Sequence, residues 1–406
     1  MKLSGQHENG GQSSTEADST EIAHNMKGEE HEHPFDPGQT AFHHISDQNV
    51  YNIGPFNFPL PCILYTKGKG WEMFSSSKFG FDAVGHGAGH KAYHQFVLHE
   101  GLVHRIQDPS FPQGEVEVSG FLNKEEVMKD KKVEVSYVSV NGKEYKLDKK
   151  STADGGLFGG GITSFYDFSI GKNALSMLIV CLLLGWMFLN IARAYKNNPG
   201  RAPKGIQNLI EPIILFIRDE VAKPFIGAKY EKFFPFLLAL FFFILGLNLF
   251  GQIPFFGGSN VTGSLSVTMV LALIAFVLTT INGNKNYWKH VLWMPGVPAW
   301  VKTILTPVEI LGVFIKPLTL MLRLFANITA GHMTLVIFVG LIFVFGKSGQ
   351  NVGASIGTSI GSGLLSMFMM AIELLVAFIQ AYVFTLLTAS YLGAATEEHH
   401  HAEEHH

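Results

Sequence analysis

The sequence predicts an all-α polytopic membrane protein with a small β-rich domain outside the membrane, and three observations predict it. Charge is segregated: 37 of the 63 charged residues lie in the first 165 of 406 positions, and long later stretches carry none. The apolar runs of the second half suffice for about five membrane helices. The first half instead alternates apolar and polar residues around turn signals. Such asymmetry excludes one soluble globular domain, and a formal charge of −3 gives no reason to expect a nucleic-acid partner. Cys62 and Cys181 fall one in each half and cannot build a disulfide framework.

Residues 1–40 are rich in Gly, Ser, Glu and His, too poor in apolar residues for a core, and are expected to be disordered. Residues 42–150 read as the β-rich domain. Val138 to Leu147 alternates around Asn141-Gly142, a strong hairpin signal; Glu115-Val-Glu-Val alternates too, and Ile63-Leu-Tyr and Trp71-Glu-Met-Phe flank a Gly-containing turn. Residues 151–170, Gly-rich at 155–161, read as a linker. Seventeen of the 18 His lie outside the spans, including His86, His90 and His94 at spacing four and a His/Glu-rich tail at 397–406. No Cys or carboxylate stands at a recognised ligand interval near His86, so the His read as a solvated, pH-responsive surface and no metal site is assigned.

The membrane domain is expected over 171–396. Leu175–Ile191 is a charge-free run of 17 residues, a short but adequate span ended by Arg193, Lys196, Arg201 and Lys204. Residues 206–223 mix Leu209, Ile210, Ile213, Ile214 and Ile217 with Glu211, Arg218, Asp219 and Glu220, the pattern of an interfacial amphipathic helix. Phe233–Ile281 holds 49 residues without a charge, broken by Gly251, Pro254, Gly257, Gly258 and Asn260, which predicts two spans joined by a turn. Tracts 303–345 and 357–393 would be roughly 65 and 55 Å long as helices, against a hydrocarbon core of ~30 Å. Two steeply tilted helices follow, the first bent at Pro307 and Pro317.

The basic cluster at 193–204 and Lys285, Lys289 and Lys302, with Trp288, Trp293 and Trp300 at the interface, set the N-terminal domain outside and the C-terminus in the cytoplasm. The first residues lack the apolar stretch of a signal peptide, so the chain as given is expected to lack a cleaved presequence.

Several motifs fail. Gly340–Ser348 ends in Gly-Lys-Ser with the wrong glycine spacing for a phosphate loop, and Asn260-Val-Thr and Asn327-Ile-Thr match the glycosylation pattern by chance. No nucleophile triad, redox Cys pair or nucleotide fingerprint is present, so this chain alone is not read as an enzyme and no cofactor is expected.

The informative residues are ionisable ones in the apolar tracts: Glu309, Lys316, Arg323 and His332 in the first, Glu373 in the second. Each central charge costs about 2.5–3.5 kcal/mol on insertion scales, so they are candidates for a pathway. Glu309, Lys316 and Arg323 recur every seven residues, near one stripe, with Asn327 one turn further on. If the tracts run antiparallel, Arg323 lies level with Gln380 and His332 with Glu373. A guanidinium stays protonated and cannot relay protons as His or a carboxylate can, so Arg323 reads as a barrier. A carboxylate at 4 Å would gain about 4 kcal/mol at an effective dielectric of 20, before desolvation. The alternative is an internal pair of Arg323 with Glu309 or Glu373. Lys316 snorkels or pairs with Glu309, and Gly353, Gly357 and Gly361 have the small-xxx-small spacing of close helix packing.

Leu318-Thr-Leu-Met-Leu-Arg-Leu-Phe-Ala-Asn-Ile-Thr-Ala-Gly-His332 closely resembles the signature helix of subunit a of F-type ATP synthases, and Glu373-Leu-Leu-Val-Ala-Phe-Ile-Gln-Ala-Tyr-Val-Phe-Thr-Leu-Leu is similar to that family's last helix. The resemblance covers about residues 165–396, including Asn248 and Glu309, and points to the bacterial type with an extended N-terminal domain. It implies a non-catalytic stator in the bacterial inner membrane, with two offset half-channels passing protons to and from a rotating c-subunit ring. Its partners would be that ring, the b-subunit peripheral stalk, the catalytic head indirectly and the lipid bilayer. Arg323 matches the family's essential arginine, Asn327 and Gln380 its polar neighbours, and Glu309 an inner half-channel carboxylate. Some members carry Glu on the first long helix and His on the last, where this chain has His332 and Glu373. The competing readings are a stand-alone cation/proton antiporter, which would need paired internal repeats that the sequence lacks, and an outer metal-binding module on a membrane anchor, which would need stoichiometric zinc.

Overall fold

The computed structural model describes residues 47–53, 56–81, 89–112, 114–128, 131–148, 164–197, 199–200, 202–253, 259–294, 297–345 and 352–397. Residues 1–40, the Gly-rich stretch 155–161, His86 and the tail beyond Glu397 lie outside them.

The N-terminal part is β-rich. A three-stranded sheet runs in the order β12 (Phe165–Asp167), β3 (Pro61–Thr66), β4 (Gly70–Ser75), beside a two-stranded ribbon of β1 (Val50–Ile53) and β2 (Phe56–Pro59). A seven-stranded sheet orders β8 (Glu115–Glu117), β5 (Lys91–Tyr93), β6 (Phe96–His99), β7 (Leu102–Ile106), β11 (Lys143–Asp148), β10 (Lys131–Val140) and β9 (Gly120–Met128). The hairpins read from alternation are there: Val140 pairs with Lys143 across Asn141-Gly142, whose φ values of 52° and 75° make the turn that matches strand twist. The β3–β4 turn uses Gly68 and Gly70, both at φ 91°. Cys62, Leu64, Phe79, Phe96, Leu98 and Phe165 form one core, and Val97, Ile106, Phe111, Val138 and Leu147 a second. One boundary changes: β12 lies in the stretch expected to be linker and closes the β3–β4 sheet, because Phe165 fills the first core while Tyr166 faces outward.

The rest is helical: α1 (Lys172–Asn197), α2 (Ile206–Phe216), a π-helical turn (Ile217–Ala222), α3 (Lys223–Ile226), α4 (Tyr230–Gln252), α5 (Leu265–Ile281), α6 (Lys285–Leu292), α7 (Ala299–Phe345) and α8 (Val352–Thr396). Four helical stretches are long and apolar enough to cross a membrane, or five if α5 and α6, bent by 105°, count as one span. Pro307 and Pro317 lie inside one continuous α7. The packed faces are aliphatic and aromatic: Leu237, Phe241 and Ile244 of α4, Leu320, Leu324 and Ile328 of α7, and Ala381, Phe384 and Ala389 of α8 share one cluster with Ile217 and Val221.

The packing glycines differ from the expectation. Gly357 and Gly361 are exposed, and a Cβ on either would meet nothing within 4 Å, so within this chain they mediate no packing; the surroundings of Gly353 are not described. The stripe that does pack is Ala377, Ala381, Thr385, Ala389 and Gly393, spaced by four and buried throughout. A Cβ on Gly393 would overlap the Phe225 carbonyl oxygen, so glycine lets α8 lie against α3. Gly393→Ala is therefore expected to abolish accumulation of the chain in membranes, while Gly357→Ala leaves it at wild-type level, as read by immunoblot.

Cys62 is fully buried, and burial, reinforced by the Asp167 carboxylate, pushes its thiol up to about 12. About one thiol in ten thousand is then ionised at pH 8, rising tenfold per pH unit until the thiol titrates. Water-soluble thiol reagents are expected to leave Cys62 unmodified in the native protein and to reach it only after denaturation, as read by peptide mass.

Candidate functional site

Helices α7 and α8 run antiparallel, and three contacts mark their register. His332 Nδ1 lies 3.4 Å from Glu373 Oε1, Asn327 Nδ2 donates to Gln380 Oε1 at 3.0 Å, and the Lys316 ammonium sits 5.5 Å from the centre of the Tyr391 ring. The His332–Glu373 meeting expected from depth alone is present. Gln380, by contrast, is met by Asn327, one turn from Arg323, because the amide reaches it along the same face. Lys316 stacks on an aromatic ring instead of pairing with Glu309, which faces His290 at 3.9 Å.

Around His332 and Glu373 the chain gathers polar atoms in an apolar setting. Asn248 of α4, 3% exposed, accepts from Thr262 Oγ1 at 2.7 Å and donates to the Ala377 carbonyl at 3.2 Å. Thr329 Oγ1 donates to the Gly263 carbonyl at 3.3 Å, tying α7 to the turn before α5. A Cβ on Gly251 would stand 2.6 Å from the Ser259 carbonyl and 3.9 Å from His332 Nε2, and one on Gly331 would stand 3.2 Å from Glu373 Oε1. Gly251 thus lets the Ser259 carbonyl come close to α4, and Gly331 leaves the Glu373 carboxylate its room. Glu373 Oε1, Ser259 Oγ and Asn260 Nδ2 are buried without a hydrogen-bond partner; Glu373 and His332 are within ion-pair distance but misaligned for a hydrogen bond. Unpaired buried polar atoms of this density are where ordered water is held. Asn260 and Thr262 are both buried, which removes the glycosylation reading of that tripeptide.

A second site, an apolar-walled cavity with a few polar groups, lies at the other end of the pair. A cavity of about 30 Å³ is lined by Thr279, Thr280, Tyr287, Lys316, Pro317 and Tyr391, among others, room for about one water. Pro317 has no amide hydrogen, so the carbonyl of Val313, a residue also on the cavity wall, lacks its helical donor.

Between the two sites stands Arg323, about a quarter turn around α7 from the buried Leu320, Leu324 and Ile328. It is exposed, and no carboxylate among the described residues lies within ion-pair distance of it; the internal pairing with Glu309 or Glu373 is not made. On its own stripe of α7, Thr319, Ala326, Asn327 and Ala330 are exposed as well, and the exposed apolar Ile315 and Leu322 flank that stripe on one side. Sequence reasoning passed over Tyr391, Tyr287, Thr262 and Gly251; only the turn residues around Gly251 carried a signal, and it was read as a break between spans.

Residues 174–393 match the family described as ATP synthase A chain. The chain belongs to this family. Relatives named ATP synthase subunit a include that of Chloroherpeton thalassium, 38% identical over 247 residues, or 59% of this chain and 71% of the relative. That of Myxococcus xanthus is 38% identical over 246 residues, 59% and 77% of the two chains. Residues 40–155 match a family described only as a domain of unknown function. With family membership and apolar helices together, the chain is a multi-pass membrane protein.

Asn248→Leu is expected to leave the buried Thr262 Oγ1 unpaired, at about 1–3 kcal/mol, and to remove the tie to the Ala377 carbonyl, which keeps its own bond within α8. The purified chain should unfold several degrees earlier by thermal scanning; an unchanged midpoint would mean that Asn248 does not hold these segments.

Proposed function

We propose that this chain is the proton-conducting stator subunit of a bacterial F-type ATP synthase, set in the inner membrane with its β-rich domain outside and its C-terminus in the cytoplasm. The observation that carries the reading is Arg323: a permanent cation exposed in the middle of a long, mostly apolar helix, with no carboxylate among the described residues beside it. Such a charge calls for a counter-charge on a partner, and at 4 Å a carboxylate gains about 4 kcal/mol at an effective dielectric of 20. A ring of c subunits, each carrying a membrane-buried acid, meets that need.

The two sites then serve as offset half-channels. Protons enter from outside through the water-holding cluster at His332 and Glu373, where an imidazole and a carboxyl group each exchange a proton. They pass to a ring acid, travel with the ring, and leave toward the cytoplasm past Glu309. Asn327 and Gln380, hydrogen-bonded to each other, hold the α7–α8 face beside Arg323 in one arrangement. Along α7, Arg323 stands about 14 Å from His332 and about 21 Å from Glu309 at ~1.5 Å per residue, which keeps the sites apart. The guanidinium holds its proton and blocks direct transfer between them. At about 70 Å and 68 Å, α7 and α8 exceed a ~30 Å core and lie steeply tilted, presenting a long face to a curved partner. Helix α2 lies near the cytoplasmic interface, and a b-subunit stalk links the assembly to the catalytic head, where the nucleotide chemistry occurs.

Each charge crossing yields ~2.3 kcal/mol per 100 mV, so several crossings must be coupled to each ATP. In membranes bearing the Arg323→Ala complex, ATP synthesis is expected to vanish while passive proton flux, measured after removal of the catalytic head, is retained or increased. Normal coupled synthesis in that variant would overturn the assignment.

A further inference from the structure

The outer β-rich domain carries an apolar face that its own core does not use. In the β12–β3–β4 sheet, alternate residues point inward to the Cys62, Leu64 and Phe165 core, and the opposite set is Ile63, Tyr65, Trp71, Met73, Tyr166 and Phe168, without a charge among them. The register puts Tyr166, Tyr65 and Trp71 in one row across three strands and Ile63 beside Met73 in the next. Trp71, 61% exposed, packs on Phe168, 57% exposed, with ring centres 5.3 Å apart, and Met73 is 74% exposed. A soluble domain does not leave such a patch open without a partner.

The place of this face limits the partner. Phe168 precedes the start of α1 by four residues, so at ~3.5 Å per residue it lies within about 14 Å of the first membrane helix. The β1–β2 ribbon comes to the same level: Tyr51 Oη lies 3.5 Å from Ser176 Oγ, inside the second turn of α1. Phe58, directly across from Tyr51, and Phe56 point outward and are 48% and 56% exposed. Trp and Tyr, with an apolar body and a polar tip, are the residues that settle at the boundary of headgroups and acyl chains.

We propose that Phe56, Phe58, Trp71, Met73 and Phe168 seat the outer domain in the headgroup layer of the outer leaflet, so that the domain is a membrane-resting platform continuous with α1. The proposal rests on α1 being a membrane span and not on the proton pathway.

The test uses the full complex in phosphatidylglycerol-containing proteoliposomes, with a polarity-sensitive fluorophore on one cysteine at a time: the native Cys181, or Met73→Cys or Glu117→Cys in a Cys181→Ser background. Buried Cys62 stays in place. The expected result is at least threefold stronger quenching of the Met73→Cys probe than of the Glu117→Cys probe by lipids brominated near the glycerol end of the chain, and the reverse order with aqueous iodide. Cys181 quenched by deep bromines, with the Met73→Cys and Glu117→Cys probes alike in iodide, would overturn the proposal while leaving the span intact. Photocrosslinks from position 73 to another subunit, with no lipid quenching, would overturn it in favour of a protein partner. A Cys181 probe insensitive to lipid would remove the span itself.

Discussion

A guanidinium in an apolar surface has to be matched, and much of this membrane domain is arranged around leaving Arg323 unmatched within the chain. The carboxylates that could have neutralised it are engaged elsewhere, Glu373 beside His332 and Glu309 beside His290. The flank of α7 beside Arg323 is locked into the core by Leu320, Leu324 and Ile328, which fixes the rotation of the helix and with it the exposed place of the guanidinium. Desolvating an unpaired charge costs several kcal/mol, so a guanidinium left without a carboxylate here is a site that a counter-charge would stabilise.

The long antiparallel pair makes this arrangement rigid. Contacts at His332/Glu373, Asn327/Gln380 and Lys316/Tyr391 keep one register over 16 residues of α7. Small residues at four-residue spacing on α8 bring it close to its supports, with Phe241 of α4 edge-on to Phe378 at 5.7 Å. Polar groups at the two ends of the pair are therefore held at fixed separations, which any hand-over of an ion between compartments requires.

Much of this was legible in the sequence because burying charge in an apolar run is costly: Arg323, His332, Glu373 and Glu309 stand out from their surroundings, and constant summed numbering places His332 beside Glu373. Helix existence was legible for the same reason. Tertiary partners were not. Glycines at 353, 357 and 361 and the small residues from Ala377 to Gly393 share a four-residue period, and period alone does not say which stripe meets another helix. Asn327 took the partner assigned to Arg323 because one helical turn separates them, closer than depth arithmetic resolves. Tyr391 escaped notice since an aromatic residue at a helix end has many ordinary uses. In the outer domain the alternation that marked β3 and β4 was visible, while β12 was hidden beyond a Gly-rich stretch and gains its meaning only from pairing with β3.

The join between the two halves is itself a structural device. Asp47 Oδ1 accepts from the Asn173 amide at 2.9 Å, capping α1 from 126 residues away, and Lys172 N donates to the Gln48 carbonyl at 2.8 Å. Gly171 permits this, since a Cβ there would stand 2.6 Å from the Asp47 carboxylate. A carboxylate on the positive end of a helix that opens into an apolar phase stabilises both partners. Beside it, Asp47, Gln48, Asn49, Asp167, Ser169 and Gly171 line a polar cavity of about 90 Å³, and the buried Lys172 lies within electrostatic reach of both Asp47 and His332. The outer domain is thus not a pendant on a flexible tether. Its seam with α1 is made by Asp47, Gln48 and Tyr51, so the first helix is held from the side by the β-rich domain as well as by the chain that leads into it.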